Sequence, residues 1–178
     1  MSGASKGLGK VDIKLKWDPS PMGAPDHDLD LVAAVFHTEE PLGEPAYLVH
    51  HDSRSPDGTI TLSRDSTTGQ GYGFDEAMVF ELERLDPRYG RVVVGVTVQQ
   101  RSGPKSLGEV PNTLVKIAEG YDELAEDNLA GVAGFPSATV AEFLRDEAGE
   151  WLFRPYIHGY EAHPSTFLTL MGRSGPLE

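Results

Sequence analysis

Apolar and polar residues alternate over short stretches along most of this chain. Residues 11–17 run Val-Asp-Ile-Lys-Leu-Lys-Trp, a period of two that gives a strand one buried face. Asp18-Pro19-Ser20-Pro21 closes that strand, because proline donates nothing to a ladder. Residues 29–36 are almost wholly apolar and predict a more deeply buried strand. Residues 46–50 and 59–63 predict two more, and Ser55-Pro56-Asp57-Gly58 between them predicts a hairpin turn. In 78–83, Met78, Phe80 and Leu82 alternate with Val79, Glu81 and Glu83, again as in a strand. Residues 91–100 are rich in β-branched side chains and read as a central strand. Strands follow at 113–118, 139–144 and 152–157, the last two flanking a hairpin turn at 146–150. Helical signals are few. Residues 107–112 read as a turn, 121–129 as a short acidic helix or a connection, and 165–171, after a proline, as a terminal helical turn. Nine strand segments at this spacing predict an all-β fold, a β-sandwich of two mostly antiparallel sheets with few short helices. No repeat or linker divides the chain, so 1–178 reads as a single domain with 1–9 as a flexible arm.

Composition narrows the partners. Acids outnumber bases 28 to 15, for a formal charge of −13. Nucleic acids and anionic membranes are polyanions and are disfavoured by that balance, which leaves cations as natural partners. The absence of cysteine excludes disulfides, thiolate metal sites, iron–sulfur clusters and cysteine catalysis. No stretch approaches the ~18 apolar residues of a membrane span. The first 17 residues lack an apolar secretory core, so a cytoplasmic protein without a membrane span is expected.

Side-chain oxygen concentrates in two places. In Asp26-His27-Asp28-Leu29-Asp30 the three carboxylates recur at i, i+2 and i+4. In extended chain they share one face within about 13–14 Å and raise one another's pKa unless a cation neutralises them. His27, between two acids, is expected to hold its proton more tightly. The second place runs from Asp65 through Gly69, Gly71 and Gly73 to Asp75 and Glu76, offering carboxylates and freely turning carbonyls. Hard dications take 6–8 oxygens in roughly this mixture, which ranks Ca²⁺ first and Mg²⁺ second. An EF-hand is excluded, because register positions six and twelve are Leu31 and His37. The bland alternative is that these acids are solvated or cap turns.

Other chemistry is weaker. Adjacent Asp75 and Glu76 face opposite ways on a strand and do not flank one bond. Asp28 or Asp30 against Glu76 is the pair a jelly-roll hydrolase would use, with Tyr72 and Phe74 as its aromatics. A calcium-supported carbohydrate-binding module needs exposed tryptophan near the acids, whereas Trp17 and Trp151 read as core. His50 and His51 diverge and do not ligate together, and the spacing G-x-G-x-G is not a dinucleotide fingerprint.

Taken in order, the landmarks Leu15-Lys16-Trp17-Asp18, Asp26 to Asp30, Ser55-Pro56-Asp57-Gly58, Asp65 to Glu76, Val110-Pro111-Asn112 and Gly149-Glu150-Trp151-Leu152-Phe153 resemble the TerD-type tellurium-resistance and stress-response family over nearly the whole chain. The resemblance implies a β-sandwich that binds calcium through its acidic loops. It implies a non-enzymatic role in bacterial stress response, with other stress-response proteins as partners and tellurite resistance as one readout. It carries ligand roles to Asp28, Asp30, Asp65, Asp75 and Glu76, with Asp26 a further candidate. The family's glycine loop usually reads glycine, aspartate, asparagine, then T-G-E-G, then G-D-D-E. Here Arg64, Ser66, Gln70 and Phe74 depart from it, which predicts fewer ions or weaker binding. Without cysteine, any link to tellurium is not direct reduction by protein thiols.

Overall fold

The computed structural model describes residues 7–66, 68–70, 73–101 and 103–173. Alternation places apolar side chains on the facing sides of two antiparallel sheets. The strands are β1 (Lys10–Lys16), β2 (Leu29–His37), β3 (Tyr47–Val49), β4 (Ile60–Arg64), β5 (Glu76–Glu81), β6 (Tyr89–Val98), β7 (Leu114–Glu119), β8 (Asp122–Asp127), β9 (Ser137–Arg145) and β10 (Trp151–Tyr160), followed by helix α1 (Pro164–Leu170). One sheet has the order β4-β5-β1-β7-β8 and the other β10-β9-β6-β2-β3. This is the expected β-sandwich, and all nine sequence segments fall on strands.

Between the sheets, Val11, Ile13 and Leu15 of β1 meet Leu29, Leu31, Ala33 and Val35 of β2 and the valines of β6 in one core. A second, smaller cluster covers the outer face of the β2 sheet, where Val32, Ala34 and Phe36 pack with Tyr160, Phe167 and Met171. Strand β2 is therefore buried on both faces, which explains its continuous apolar run. Phe167 of α1 is fully buried, a placement that stabilises the cap by about 2–3 kcal/mol.

Three local expectations need correction. Residues 121–129 are not helical: Asp122–Asp127 form β8, paired to β7 through a tight hairpin with Glu119 opposite Asp122. Gly120 takes φ +60° in that turn, a conformation glycine adopts without a Cβ penalty. The acids of β8 are tolerated because it is an edge strand whose carboxylates reach water, where Glu126 lies 3.5 Å from Lys116. Likewise, Ser55-Pro56-Asp57-Gly58 does not close a hairpin. Asp57 accepts from the Thr59 N–H and hydroxyl at 3.1 and 2.7 Å, but the turn carries the chain from β3 in one sheet to β4 in the other. Residues 7–9 are docked rather than a free arm: Gly7 N–H donates to Glu150 at 2.7 Å, Leu8 N–H to the Trp151 carbonyl at 2.9 Å, and Gly9 N–H to Glu119 at 2.7 Å. The rest of that expected arm, 1–6, lies outside the described residues.

Strand β3 pairs with β2 only over Ala33, Ala34 and Val35. The earlier part of β2 keeps an open edge, and there the acidic segments converge.

Candidate metal centre

Glu76 opens β5 in the inward register it shares with Met78 and Phe80, so its carboxyl is carried into the sandwich and fully buried. Its Oε1 accepts the Leu31 N–H at 2.8 Å, filling the ladder position that β3 leaves empty. Asp30, one residue earlier on β2, and Asp65, just after β4, complete the group. One ligand oxygen from each of Asp30, Asp65 and Glu76 lies within 4.8 Å of the others. Asp30 and Glu76 form a buried floor, and exposed Asp65 forms the lip.

A single tryptophan ties the two acidic segments together, through its indole and its backbone amide. Trp17 Nε1 donates to the His27 carbonyl at 2.8 Å, and the Trp17 N–H donates to Asp75 Oδ2 at 2.9 Å. Gly69 lies so close to the same ring that an added Cβ would stand 2.3 Å from Nε1, and its φ is +78°. Only glycine lets the loop after β4 close over Trp17 in this conformation.

Crowding governs the charges. Burial, followed by the neighbouring Asp65 and Asp30 carboxyls, pushes the Glu76 carboxyl up to about 12. Burial and then Asp30 push Asp28 up to about 6, against the opposing pull of Arg101. Burial raises Asp75 as well, opposed by the Trp17 N–H. For His27 the expected rise is corrected to a fall, because burial and the Lys105 ammonium, 3.0 Å from Nδ1, outweigh Glu109 and Asp26.

Of the six acids singled out, Asp30, Asp65 and Glu76 come together. Asp28 flanks them, 4% exposed, with Oδ2 accepting from Arg101 Nη1. Asp75 faces away to the Trp17 amide, and Asp26 is exposed at the surface. Three neighbours were not assigned to this group from the sequence. Arg101 is one, Gln99 donates from Nε2 to Asp30 Oδ2, and His51 Nδ1 stands 3.6 Å from Asp30 Oδ1. Of the loop departures, Ser66 Oγ accepts from the Gly69 N–H at 3.1 Å, and the Phe74 ring lies 5.6 Å from Lys14 Nζ. Gly71 and Tyr72 lie outside the described residues.

The group fits a hard cation. Its donors are carboxylate oxygens, and Glu76 Oε2 and Asp28 Oδ1 are buried with no hydrogen-bond partner among the described residues. A buried polar atom without a partner costs about 1–3 kcal/mol, more when charged. A dication bound there would be one such partner.

Fold and site together define a class, an antiparallel β-sandwich with an acidic cluster where two loops meet. The chain belongs to the TerD domain family, whose profile matches residues 1–168. The tellurium resistance protein TerD of Serratia marcescens is 26% identical over 164 residues, covering 90% of this chain and 85% of the relative. General stress protein 16U of Bacillus subtilis is 28% identical over 162 residues, covering 87% and 83%. A solved structure of a homologue of telluride resistance protein (TerD), SCO6318 from Streptomyces coelicolor A3(2), superposes with TM-score 0.93 at 51% identity, over 96% of this chain and all of that one. The crystal structure of SAV2460, described as a protein of unknown function, matches at TM-score 0.92 and 56% identity over 94% and 98%. The family is thus one of tellurium-resistance and stress-response proteins. Among the described residues, no helix is long and apolar enough to cross a membrane.

Proposed function

We propose that this is a calcium-binding, non-enzymatic stress-response protein of the cytoplasm. In it, Ca²⁺ held by Asp30, Asp65 and Glu76, with Asp28 beside them, stabilises or switches a surface read by other stress-response proteins. The observation that carries the reading is the convergence of those three carboxylates within 4.8 Å, with a buried Glu76 oxygen that has no hydrogen-bond partner among the described residues. Bound there, the ion would supply positive charge and join the loop after β4 to the start of β2. The chain's own part is to hold the oxygens. Leu31 N–H orients Glu76, Gln99 orients Asp30, and Trp17 braces both loops.

Hydrolysis is less well supported. Paired catalytic carboxylates stand about 5–5.5 Å apart when one is a nucleophile and about 6.5–9.5 Å apart when a water must fit. These oxygens are closer, and two of the three carboxyls are buried rather than lining an open cleft. The direct test is the melting temperature of the full chain in chelator, in calcium and in magnesium. A calcium-specific rise is expected, abolished by replacing Asp28 and Asp30 with asparagine. The same melting temperature in all three solutions removes the reading.

A further inference from the structure

Asp28 is a buried carboxylate whose side-chain hydrogen-bond partner among the described residues is a largely exposed arginine. Its Oδ2 accepts from Arg101 Nη1, its Oδ1 has no partner among the described residues, and the Arg101 side chain is 65% exposed against 4% for Asp28. An arginine so exposed is readily rehydrated, so it is a weakly held counter-charge. Asp28 also stands two residues before Asp30, on the same side of extended chain, about 6.6 Å along it. We propose that Arg101 is a tethered cation that occupies Asp28 in the metal-free protein, and that a divalent ion binds by displacing it, recruiting Asp28 as a fourth carboxylate. This inference rests on the calcium reading above and names the residue that sets its affinity.

The displacement has a built-in output. Arg101 belongs to the loop after β6, and that loop is wired to the site twice more. Gln99 N–H donates to the Asp28 carbonyl at 2.9 Å, and Gln99 Nε2 donates to Asp30. The Gln100 side chain ties the loop to itself, donating to the Val98 and Lys105 carbonyls at 2.8 and 2.9 Å and accepting the Lys105 N–H at 2.9 Å. Lys105 Nζ lies 3.3 Å from the Asp26 carbonyl. An ion that takes Asp28 therefore releases a guanidinium on a loop already carrying Lys105, and exposes a positive charge that was paired before.

Calorimetric titration with Ca²⁺ alone tests this on the full chain, comparing wild type, Arg101→Gln, Asp28→Asn, the double variant and Lys105→Gln. Losing the competing charged hydrogen bond is expected to tighten calcium binding by about tenfold in Arg101→Gln. Lys105→Gln, which removes one nearby charge without touching Asp28, is expected to change affinity by less than about threefold. In the Asp28→Asn background the gain from Arg101→Gln is expected to vanish, as a double-mutant cycle requires for groups that act through one contact. Equal tightening in Arg101→Gln and Lys105→Gln overturns the displacement, as does a gain that persists with Asp28→Asn. Unchanged affinity in Arg101→Gln, with calcium still bound by wild type, overturns the displacement alone. Absence of calcium binding in every protein overturns both it and the function proposed above.

Discussion

Glu142 and Glu76 are both strand carboxylates, 1% and 0% exposed, yet their surroundings carry opposite charge. Glu142 on β9 sits between Arg91 of β6 and Arg154 of β10. It accepts from Arg91 Nε at 2.8 Å and from Arg154 Nη2 at 2.7 Å. Arg91 Nη1 donates to the Pro41 and Gly172 carbonyls, Nη2 is buried with no partner among the described residues, and the guanidinium lies over the Phe36 ring at 5.2 Å. That site brings its own cations, and they pin the chain after α1 onto the sheet. Glu76 has an amide, two carboxyl neighbours and an oxygen with no hydrogen-bond partner among the described residues. A folded protein accommodates buried carboxyls either by neutralising them from within or by leaving room for something from outside, and Glu142 and Glu76 are examples of the two.

The comparison breaks most easily at Glu142. Glu142→Gln leaves Arg91 buried without its counter-charge, a loss of about 3–5 kcal/mol. Chemical denaturation should show that loss equally in calcium and in chelator. A loss under about 1 kcal/mol would place Glu142 among ordinary surface pairs.

Glu76→Gln should shift stability the other way. A carboxyl raised in the fold contributes stability below its ordinary pKa and loses it as pH climbs toward the folded value. For Glu76 that span runs from 4.5 to about 12, so neutral pH lies inside it. In chelator at pH 7 the glutamine variant, which keeps an acceptor for Leu31, is expected to be more stable by about 1–3 kcal/mol. It should also lose the calcium-dependent rise in melting temperature. Destabilisation in chelator would show that Glu76 resembles Glu142 after all.

Asp28 sharpens the contrast through pH. Its carboxyl is lifted from 3.8 to about 6, so stability held by the protonated form is present below pH 4 and drains away as pH rises to 6. Melting in chelator across that window should lose up to about 2 kcal/mol, and Asp28→Asn should flatten the slope. Calcium affinity should rise over the same window, because protons and the ion compete for one oxygen. A flat profile in wild type would mean that Arg101 already neutralises Asp28 fully.

How much of this was legible beforehand follows from the range of each interaction. Period-two alternation is local, so nine strands and the double burial of β2 were readable from residues alone. The partner of each strand was not. Residues 55–58 have sound turn chemistry, yet β3 and β4 join different sheets, because pairing is decided by core packing across the chain. Strand β8 was missed because acidic composition argues against a strand, while an exposed edge cancels the penalty. Asp30, Asp65 and Glu76 were visible as acids at suggestive spacing. Arg101, 73 residues from Asp28, was invisible, since an arginine in a polar loop looks like any solvated charge. The same holds for His27, whose fall in pKa comes from burial and then from Lys105, 78 positions away.

The finest discrimination is between Asp75 and Asp26, both candidates by sequence. Asp75 accepts the Trp17 N–H at 2.9 Å and returns its own N–H to the Leu15 carbonyl at 2.8 Å, so it closes the end of β1 rather than facing the cluster. Asp75→Asn keeps an acceptor but loses its charge, and should cost about 1 kcal/mol while leaving calcium affinity within about twofold. Asp26 is exposed, and the structure uses its carbonyl rather than its carboxyl, toward Lys105. Asp26→Asn should therefore change neither melting temperature nor affinity beyond about 0.5 kcal/mol. A tenfold loss of calcium binding in Asp26→Asn, measured beside an unaffected Asp75→Asn, would move the ion outward along the 26–30 segment and away from Glu76.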